Sequence, residues 1–168
     1  MRVYLGVDPG VTGAFAVLEV ADDGLQTLSI HPTPVLWVKI GKSQRRRYEI
    51  PPLLDLLATL PRITLAYLEQ QSARPGQGAA STFQTGWGEG MWSACLTACA
   101  IPFQLVSPVA WRRLVHLPHV TDKQARKAHV RLAAVRRFPA VPLKLQHADA
   151  VMLAVAAALE HGTGAAAC

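Results

Sequence analysis

The chain has 168 residues and 51% of them are hydrophobic, so we expect one folded domain with a sizeable core rather than a disordered segment. Its 17 Lys and Arg outnumber its 11 Asp and Glu, and the formal charge of +6 favours a polyanionic partner. The longest apolar run is too short to cross a bilayer, the N-terminus leads directly into a strand, and the three Cys residues form neither a zinc pattern nor a disulfide framework. We therefore expect no signal peptide, no membrane partner and a cytoplasmic location.

Two strands joined by a glycine-rich turn are predicted first. Residues 3–7 alternate in a way that suits a half-buried strand, and a second apolar strand runs through residues 14–18. Asp8 stands where the first strand ends, and Gly10 and Gly13 permit a tight turn and the close approach of a phosphate or metal. Asp-Pro-Gly is also a common turn sequence, so Asp8 could be only a turn residue.

A third strand and a basic segment follow. Asp-Asp-Gly at 22–24 predicts a hairpin turn, and residues 25–31 predict a strand, which makes three antiparallel strands in succession. Prolines and a Gly-Lys-Ser sequence predict a loop over residues 32–48. This loop carries Lys39, Lys42, Arg45, Arg46 and Arg47. It is either a solvated loop or a positively charged arm that holds a phosphate backbone.

A helix and a fourth strand come next. Leu residues on one face predict a short amphipathic helix over residues 51–60, and residues 63–68 predict a buried strand that ends at Glu69. A strand–helix–strand connection normally makes a parallel pair. Because binding sites in such sheets lie at the carboxyl ends of the strands, we expect Asp8 and Glu69 to lie side by side.

Residues 72–90 are rich in glycine and amides and predict a long functional loop. In it, Phe83 could stack on or wedge between bases, while Arg74, Gln77 and Gln84 offer hydrogen-bonding groups for nucleic acid. The alternative is that the aromatic side chains of this segment cap the core.

The C-terminal half is predicted to be mostly helical. The expected elements are a helix at 91–100, a fifth strand at 101–106, a short helix at 109–115, a basic helix at 123–138 and an apolar helix at 146–159. The short helix carries Arg112 and Arg113, and the basic helix begins with Lys123 and Lys127 on a surface suited to phosphates. Asp149 lies near the start of the last helix, where a charge is costly unless it is paired or bound to metal.

Three carboxylates thus occupy positions that suit a metal site: Asp8, Glu69 and Asp149. Magnesium takes oxygen ligands from one or two carboxylates and shares substrate phosphate oxygens. Two such ions about 3.5–4 Å apart can clamp the attacking and leaving oxygens of a phosphodiester cleavage. No Ser/His/Asp or Cys/His arrangement suggests a competing chemistry, so the residues favour metal-assisted hydrolysis of nucleic acid.

The ordered set of motifs resembles the RuvC family of Holliday-junction resolvases, most closely the monokaryotic chloroplast resolvases and their bacterial or phage relatives. The resemblance is carried by the sequences at residues 6–14, 34–39, 66–70, 81–92, 106–112 and 147–154. It covers nearly the whole chain and implies an RNase H-like fold, α/β, with a five-stranded mixed sheet of three antiparallel and then two parallel strands flanked by helices. We expect a single nuclease domain over residues 1–162 and a frayed tail over 163–168.

The same resemblance implies a homodimer that binds a four-way DNA junction and cuts two strands symmetrically, without a nucleotide cofactor. It assigns Asp8, Glu69 and Asp149 as catalytic metal ligands for two Mg²⁺ ions, for which Mn²⁺ can substitute. The DNA contacts are expected from Lys39, Lys42, Arg45, Arg46, Arg47, Arg74, Gln77, Phe83, Gln84, Arg112, Arg113, Lys123 and Lys127.

The fourth site position departs from the usual family pattern, which has another Asp, or in some members a His, a few residues before the last acid. Gln146 and His147 occupy this region. Gln146 lies three residues before Asp149, on the same side of a helix. His147 is chemically the better ligand or proton carrier and turns inward only if the helix starts at Ala148. We assign His147 to the catalytic set, and binding of the second metal depends on this choice.

Three other functions fit parts of the sequence. A non-cleaving junction-binding protein would account for the missing fourth carboxylate, and another RNase H-like nuclease would use the same acids. The sugar kinase and actin-like ATPases begin with a similar Asp-x-Gly turn, but they need two such domains, which 168 residues cannot supply.

Overall fold

A mixed sheet with the strand order β3-β2-β1-β6-β7 organises the fold. A computed structural model describes residues 1–73 and 75–162, so the expected tail at 163–168 and Arg74 lie outside the described residues. The strands are β1 (Arg2–Val7), β2 (Ala14–Val20), β3 (Gln26–Pro32), β4 (Val35–Ile40), β5 (Ser43–Tyr48), β6 (Leu65–Glu69) and β7 (Phe103–Val106). The helices are α1 (Ile50–Thr59), α2 (Ala79–Ala98), α3 (Pro108–Leu114), α4 (Lys123–Arg137) and α5 (Ala148–His161).

The pairing confirms the predicted mixed sheet. β1 is antiparallel to β2 and β2 to β3, whereas β1 with β6 and β6 with β7 are parallel. The β1–β6 register places Val7 opposite Leu68. The residue that follows each of these two is an acid, so the parallel pairing brings Asp8 and Glu69 to the same edge of the sheet.

Helix α5 covers one face of this sheet, as its apolar sequence predicts. Gly6 permits its close approach, because a Cβ atom there would come within 2.1 Å of the Ala150 carbonyl oxygen and 2.3 Å of the Ala154 nitrogen. The other face is covered by α1 and α2, which bury Leu53 and Trp92 against it. The contact at Gly6 brings the first turn of α5 close to the end of β1.

The basic arm is not the irregular loop that the prolines predicted. Residues 35–48 form the antiparallel hairpin β4–β5, a two-stranded sheet separate from the main one. Ile40 pairs with Ser43, which leaves a two-residue turn with Gly41 at φ +61°. The Val-Leu-Trp-Val sequence of β4 has high strand propensity, and this local signal outweighed the loop residues around it.

The predicted loop over residues 72–90 is also wrong for most of its length. Helix α2 begins at Ala79 and continues through Gly86, Gly88 and Gly90 to Ala98. Glycine weakens an isolated helix, but Gly88 is buried and leaves no room for a side chain. Tertiary packing therefore stabilises a helix that local propensity disfavours.

The last helix starts two residues later than predicted. Leu145–His147 form a 3₁₀ turn, and the α-helix begins at Ala148. Among the described residues, no helix is both long and apolar enough to cross a membrane.

Candidate active site

Asp8 lies in a turn that is closed by its own backbone. Its N–H donates to the Ala14 carbonyl at 3.0 Å, and the Gly13 N–H donates to the Gly10 carbonyl at 2.8 Å. The Gly10 N–H also donates to Oδ1 of Asp8 at 3.3 Å. A Cβ atom at Gly13 would lie 2.2 Å from the Asp8 carbonyl oxygen, so only glycine permits this turn.

Glu69 is held by two residues of α3. Trp111 is fully buried and its Nε1–H donates to Oε1 of Glu69 at 2.9 Å. The guanidinium of Arg112 lies 3.9 Å from the same oxygen and 5.0 Å from the centre of the Trp111 ring. Arg112 therefore neutralises and orients a carboxylate of the site.

Gln71 supports Glu69 from the other side. Its Nε2 group donates to both the carbonyl and Oε2 of Glu69, each at 3.2 Å. The backbone N–H of Gln71 in turn donates to the carboxylate of Glu89 on α2. Both carboxylate oxygens of Glu69 are thus positioned, and the second of them is linked to α2.

Asp149 completes the acidic cluster from the first turn of α5. Burial and the nearby charges of Glu69 and Asp149 raise the pKa of Asp8 to about 7. Burial and Glu69 likewise raise the pKa of Asp149 to about 6, although Arg112, Lys127 and other basic groups oppose the shift. The charge of Glu69 therefore acts on both Asp8 and Asp149, and the charge of Asp149 acts on Asp8.

The donor chemistry of this cluster fits a hard divalent cation. Within residues 1–73 and 75–162, no group of three or more His, Cys, Asp or Glu side chains has a geometry that could hold a metal ion. Magnesium does not require such a group, because it keeps several waters and uses one or two carboxylates together with substrate phosphates. Buried like charges are also costly without a neutralising cation or proton. Asp8, Glu69 and Asp149 are the residues that would hold it.

The residues before Asp149 differ in exposure. Gln146 is exposed, whereas His147 is half-buried and its Nδ1 atom is buried without a hydrogen-bond partner among the described residues. Burial and the charge of Lys144 lower the pKa of His147, which favours the neutral imidazole. The helix starts at Ala148, which is the condition under which His147 was expected to turn inward.

The predicted basic contacts occupy two surfaces near the acids. The hairpin exposes Lys39, Lys42, Arg45, Arg46 and Arg47, with the Arg46 guanidinium 4.9 Å from the centre of the Trp37 ring. On α4, Lys123 and Lys127 are exposed, and the charge of Lys127 acts on both Asp8 and Asp149. Arg113 on α3 is also exposed. Arg112 therefore differs from these exposed cations, because its guanidinium pairs with Glu69.

A groove of about 760 Å³ leads from the Asp8 turn between the hairpin and α2. Its lining includes Gly10, Trp37, Arg46 and Gln84. A neighbouring cleft of about 610 Å³ shares Gln84 with this groove and is also lined by Arg47 and by Phe83, which is 72% exposed. Gln77 instead bonds along α2, to Ser81 and Thr85 at 3.1 Å each.

Several site residues escaped the sequence reasoning. Trp111 and Glu89 were not predicted because each meets the site through a contact between distant segments of the chain. Tyr48, which hydrogen-bonds to the Asp8 turn, was hidden in a segment predicted to be a loop. Gln71 alone had a local signal, since it follows Glu69 by two residues at the end of a strand.

Comparison with known proteins identifies the fold. The sequence matches no protein-family model and no curated protein. A structure of Thermus thermophilus RuvC in complex with Holliday junction substrate superposes with a TM-score of 0.65 at 16% identity, with 97% of each chain covered. Another Thermus thermophilus RuvC structure gives a TM-score of 0.63 at 18% identity, again with 97% of each chain covered. The chain therefore has the RNase H-like fold of these RuvC structures over nearly its whole length.

Proposed function

We propose that this protein is a metal-dependent endonuclease that resolves four-way DNA junctions by paired, symmetric cleavage. The observation that carries the proposal is the acidic cluster: Asp8 and Glu69 follow paired positions on parallel strands, and Asp149 joins them from α5. The fold is that of two RuvC structures, one of which contains Holliday junction DNA. The basic hairpin and α4 beside the acids support a polyanionic substrate.

In this proposal the residues of the chain have distinct roles. Asp8, Glu69 and Asp149 would hold two Mg²⁺ or Mn²⁺ ions, and such ions, when bound, would supply activation of the attacking water and neutralisation of phosphate charge. Trp111 and Arg112 hold the Glu69 carboxylate in place. His147 carries the proton released by the attacking water.

Paired cleavage requires two active sites, so we propose that the protein works as a homodimer on branched DNA. Each subunit would bind the phosphate backbone through its hairpin and α4, and Gln77, Phe83, Gln84 and Arg74 would contact bases or backbone near the crossover. We therefore propose that the protein acts in the cytoplasm of a bacterial or phage-infected cell, where such DNA is found.

The decisive experiment compares cleavage of a synthetic four-way junction with cleavage of linear duplex and of an RNA–DNA hybrid. We expect wild type with Mg²⁺ or Mn²⁺ to nick opposite strands of the junction and leave ends that ligase can seal. Asp8→Asn should abolish cleavage and retain junction binding. Equal cleavage of the linear duplex or the hybrid would instead identify another kind of RNase H-like nuclease.

A non-cleaving junction-binding protein is the second candidate, and one observation favours it. The fourth position of the site holds His147 rather than a carboxylate, and the described His, Cys, Asp and Glu side chains form no group of three or more that could hold a metal ion. This alternative predicts tight junction binding with no cleavage at any concentration of Mg²⁺ or Mn²⁺. His147→Asp tests it directly, because a carboxylate there would confer cleavage on an inactive wild type.

A further inference from the structure

The Asp8 turn, which we call the catalytic turn because it carries the proposed catalytic acid, is hydrogen-bonded to both ends of the basic hairpin. Ahead of β4, the N–H of Thr33 donates to the Gly13 carbonyl at 3.2 Å. At the end of β5, the Tyr48 hydroxyl donates to the Pro9 carbonyl at 2.7 Å. Pro9 directly follows Asp8, so the turn that carries this acid is held from both sides by the segment that presents the basic side chains.

Helix α2 packs against the same point. Gly88 is buried, and a Cβ atom there would lie 2.5 Å from both the Pro9 carbonyl oxygen and the Tyr48 hydroxyl. Gln84, one helical turn earlier, lies beside the Tyr48 side chain, where it opposes the rise in pKa that burial gives the phenol. The phenol of Tyr48 thus connects three elements: the hairpin, the Asp8 turn and α2.

The close contact of α2 with Tyr48 and Pro9 requires glycine at position 88, and glycine lowers the stability of the helix. Glycine in a helix interior destabilises it by roughly 0.5–1 kcal/mol relative to Ala. Any side chain at position 88 would separate α2 from the Tyr48–Pro9 hydrogen bond. The groove toward Asp8 is lined by Arg45, Arg46 and Gln84 as well as Tyr48, so a ligand there contacts the residues that hold this bond.

We propose that Tyr48 is a positioning residue that couples the basic hairpin to the catalytic turn. Its hydroxyl holds the Pro9 carbonyl, and this contact fixes the direction of the Asp8 carboxylate when the hairpin is docked on DNA. DNA in the groove restrains the hairpin and Gln84, and the restraint passes through the Tyr48 ring to Asp8. This proposal rests on the proposed nuclease function, since it assigns a use to the position of Asp8.

Tyr48→Phe tests the coupling, because it removes only the hydroxyl and keeps the ring in place. We expect the single-turnover rate of junction cleavage to fall at least tenfold, while the junction Kd stays within twofold of wild type. The matched control is Tyr4→Phe. Tyr4 is fully buried on β1, and its hydroxyl has no hydrogen-bond partner within the described ranges, so the cleavage rate should stay within twofold.

Hydrogen exchange supplies a measurement that does not depend on cleavage. The amides of Asp8 and Gly13 are hydrogen-bonded within the turn. In Tyr48→Phe these amides should exchange faster than in wild type, and junction DNA should protect them in wild type but less in the variant. If wild type does not cut, the proposed function fails while this measurement still decides the coupling.

Three results would overturn the coupling. Unchanged exchange in Tyr48→Phe would show that the hydroxyl does not hold the turn. Faster exchange with an unchanged rate in a cleaving enzyme would show that the held position is not used. A loss of rate that matches a loss of affinity would make Tyr48 an ordinary DNA contact.

Discussion

Trp111 and Glu69, 42 positions apart in the chain, are joined by a 2.9 Å hydrogen bond from the indole Nε1 to the carboxylate Oε1. The donor is fully buried and the acceptor belongs to the acidic cluster. The bond fixes one oxygen of Glu69, while Gln71 fixes the other. If Glu69 binds an ion, as we propose, a carboxylate held in this way would lose little conformational freedom on binding, as supporting residues do for ligands in metal sites.

Trp111→Phe should therefore separate cleavage from binding. The substitution removes the hydrogen bond, and we expect cleavage of a four-way junction to fall about tenfold or more, in the range that the loss of such supporting groups produces. The junction Kd should change less than twofold because Trp111 is buried. Single-turnover rates and a fluorescence binding assay measure the two quantities.

Trp92→Phe is the matched control for this prediction. Trp92 is also fully buried, and its Nε1 has no hydrogen-bond partner within the part of the chain that the structure describes. Both variants lose packing, so both should unfold at lower temperature. An equal loss of cleavage in the two variants would show that Trp111 acts through stability alone.

The acidic cluster should destabilise the protein when no cation is bound. The pKa of Asp8 rises from 3.8 to about 7, so the folded state takes up a proton more readily than the unfolded chain. Protonation of Asp8 therefore stabilises the folded state fully below about pH 4, and this stabilisation is lost as the pH rises toward 7. In EDTA at pH 8, Asp8→Asn should unfold at a higher temperature than wild type, by an amount that corresponds to at most about 4 kcal/mol.

Thermal unfolding measures this effect, and Asp55→Asn serves as its control. Asp55 is an exposed carboxylate on α1, away from the acidic cluster. The Asp55→Asn variant should have the same Tm as wild type within about a degree. A lower Tm in Asp8→Asn than in wild type would mean that hydrogen bonds to Asp8, such as the one from Gly10, outweigh its repulsion by Glu69 and Asp149.

Adding Mg²⁺ should reduce the difference in stability between the two proteins. A ligand that binds only the folded state stabilises it by about 2.7 kcal/mol at a hundredfold excess over Kd. Wild type has all three carboxylates, so its Tm should rise and saturate with Mg²⁺, whereas Asp8→Asn should respond weakly. Repeating the titration with Ca²⁺ separates the binding of a divalent ion from the cleavage that Mg²⁺ would support. Equal shifts in both proteins would indicate that the ion binds elsewhere.

The local patterns in the sequence were sufficient to predict the sheet but not the helix α2. Alternating residues in 3–7 and the apolar run that ends at Glu69 are local signals, and the parallel pairing of β1 and β6 follows from the helix between them. The glycines of α2 carry the opposite signal. Among these glycines, Gly88 has a clear structural reason: the absence of a side chain makes room for Pro9 and Tyr48.

The acids of the site could be predicted for the same reason, whereas their supports could not. Asp8 and Glu69 stand at strand ends, a position that is readable from sequence. Trp111 and Glu89 reach the site from helices that pack against the sheet, and no local pattern encodes this contact. The hairpin was hidden because basic residues fill β5, whose exposed strand needs no alternating apolar side chains.

His31 should make the stability depend on pH in the acid range. Its ring stacks on Phe15 at 4.9 Å between centres, and burial lowers its pKa below the ordinary value of 6.5. The unfolded chain therefore binds a proton first, so stability is full above about pH 6.5 and falls as the pH drops toward the folded pKa. His31→Phe keeps an aromatic ring and removes this dependence.

The measurement is the Tm difference between wild type and His31→Phe at pH 5 and pH 8. The difference between the two proteins cancels the titration of the carboxylates that they share. His31→Phe should be more stable relative to wild type at pH 5 than at pH 8. A pH-independent difference for His31→Phe would contradict the prediction.

The hairpin should account for much of the salt dependence of DNA binding. Each phosphate contact contributes about 0.9 to the slope of log K against log salt on duplex DNA. The triple substitution of Arg45, Arg46 and Arg47 by Ala should therefore weaken junction binding and reduce the slope by about 2–3. The control is Arg62→Ala, which removes an exposed cation next to Pro61, in a different cleft from the one that leads to Asp8. An unchanged slope in the triple variant would leave the hairpin as a solvated surface and assign the phosphate contacts to α4.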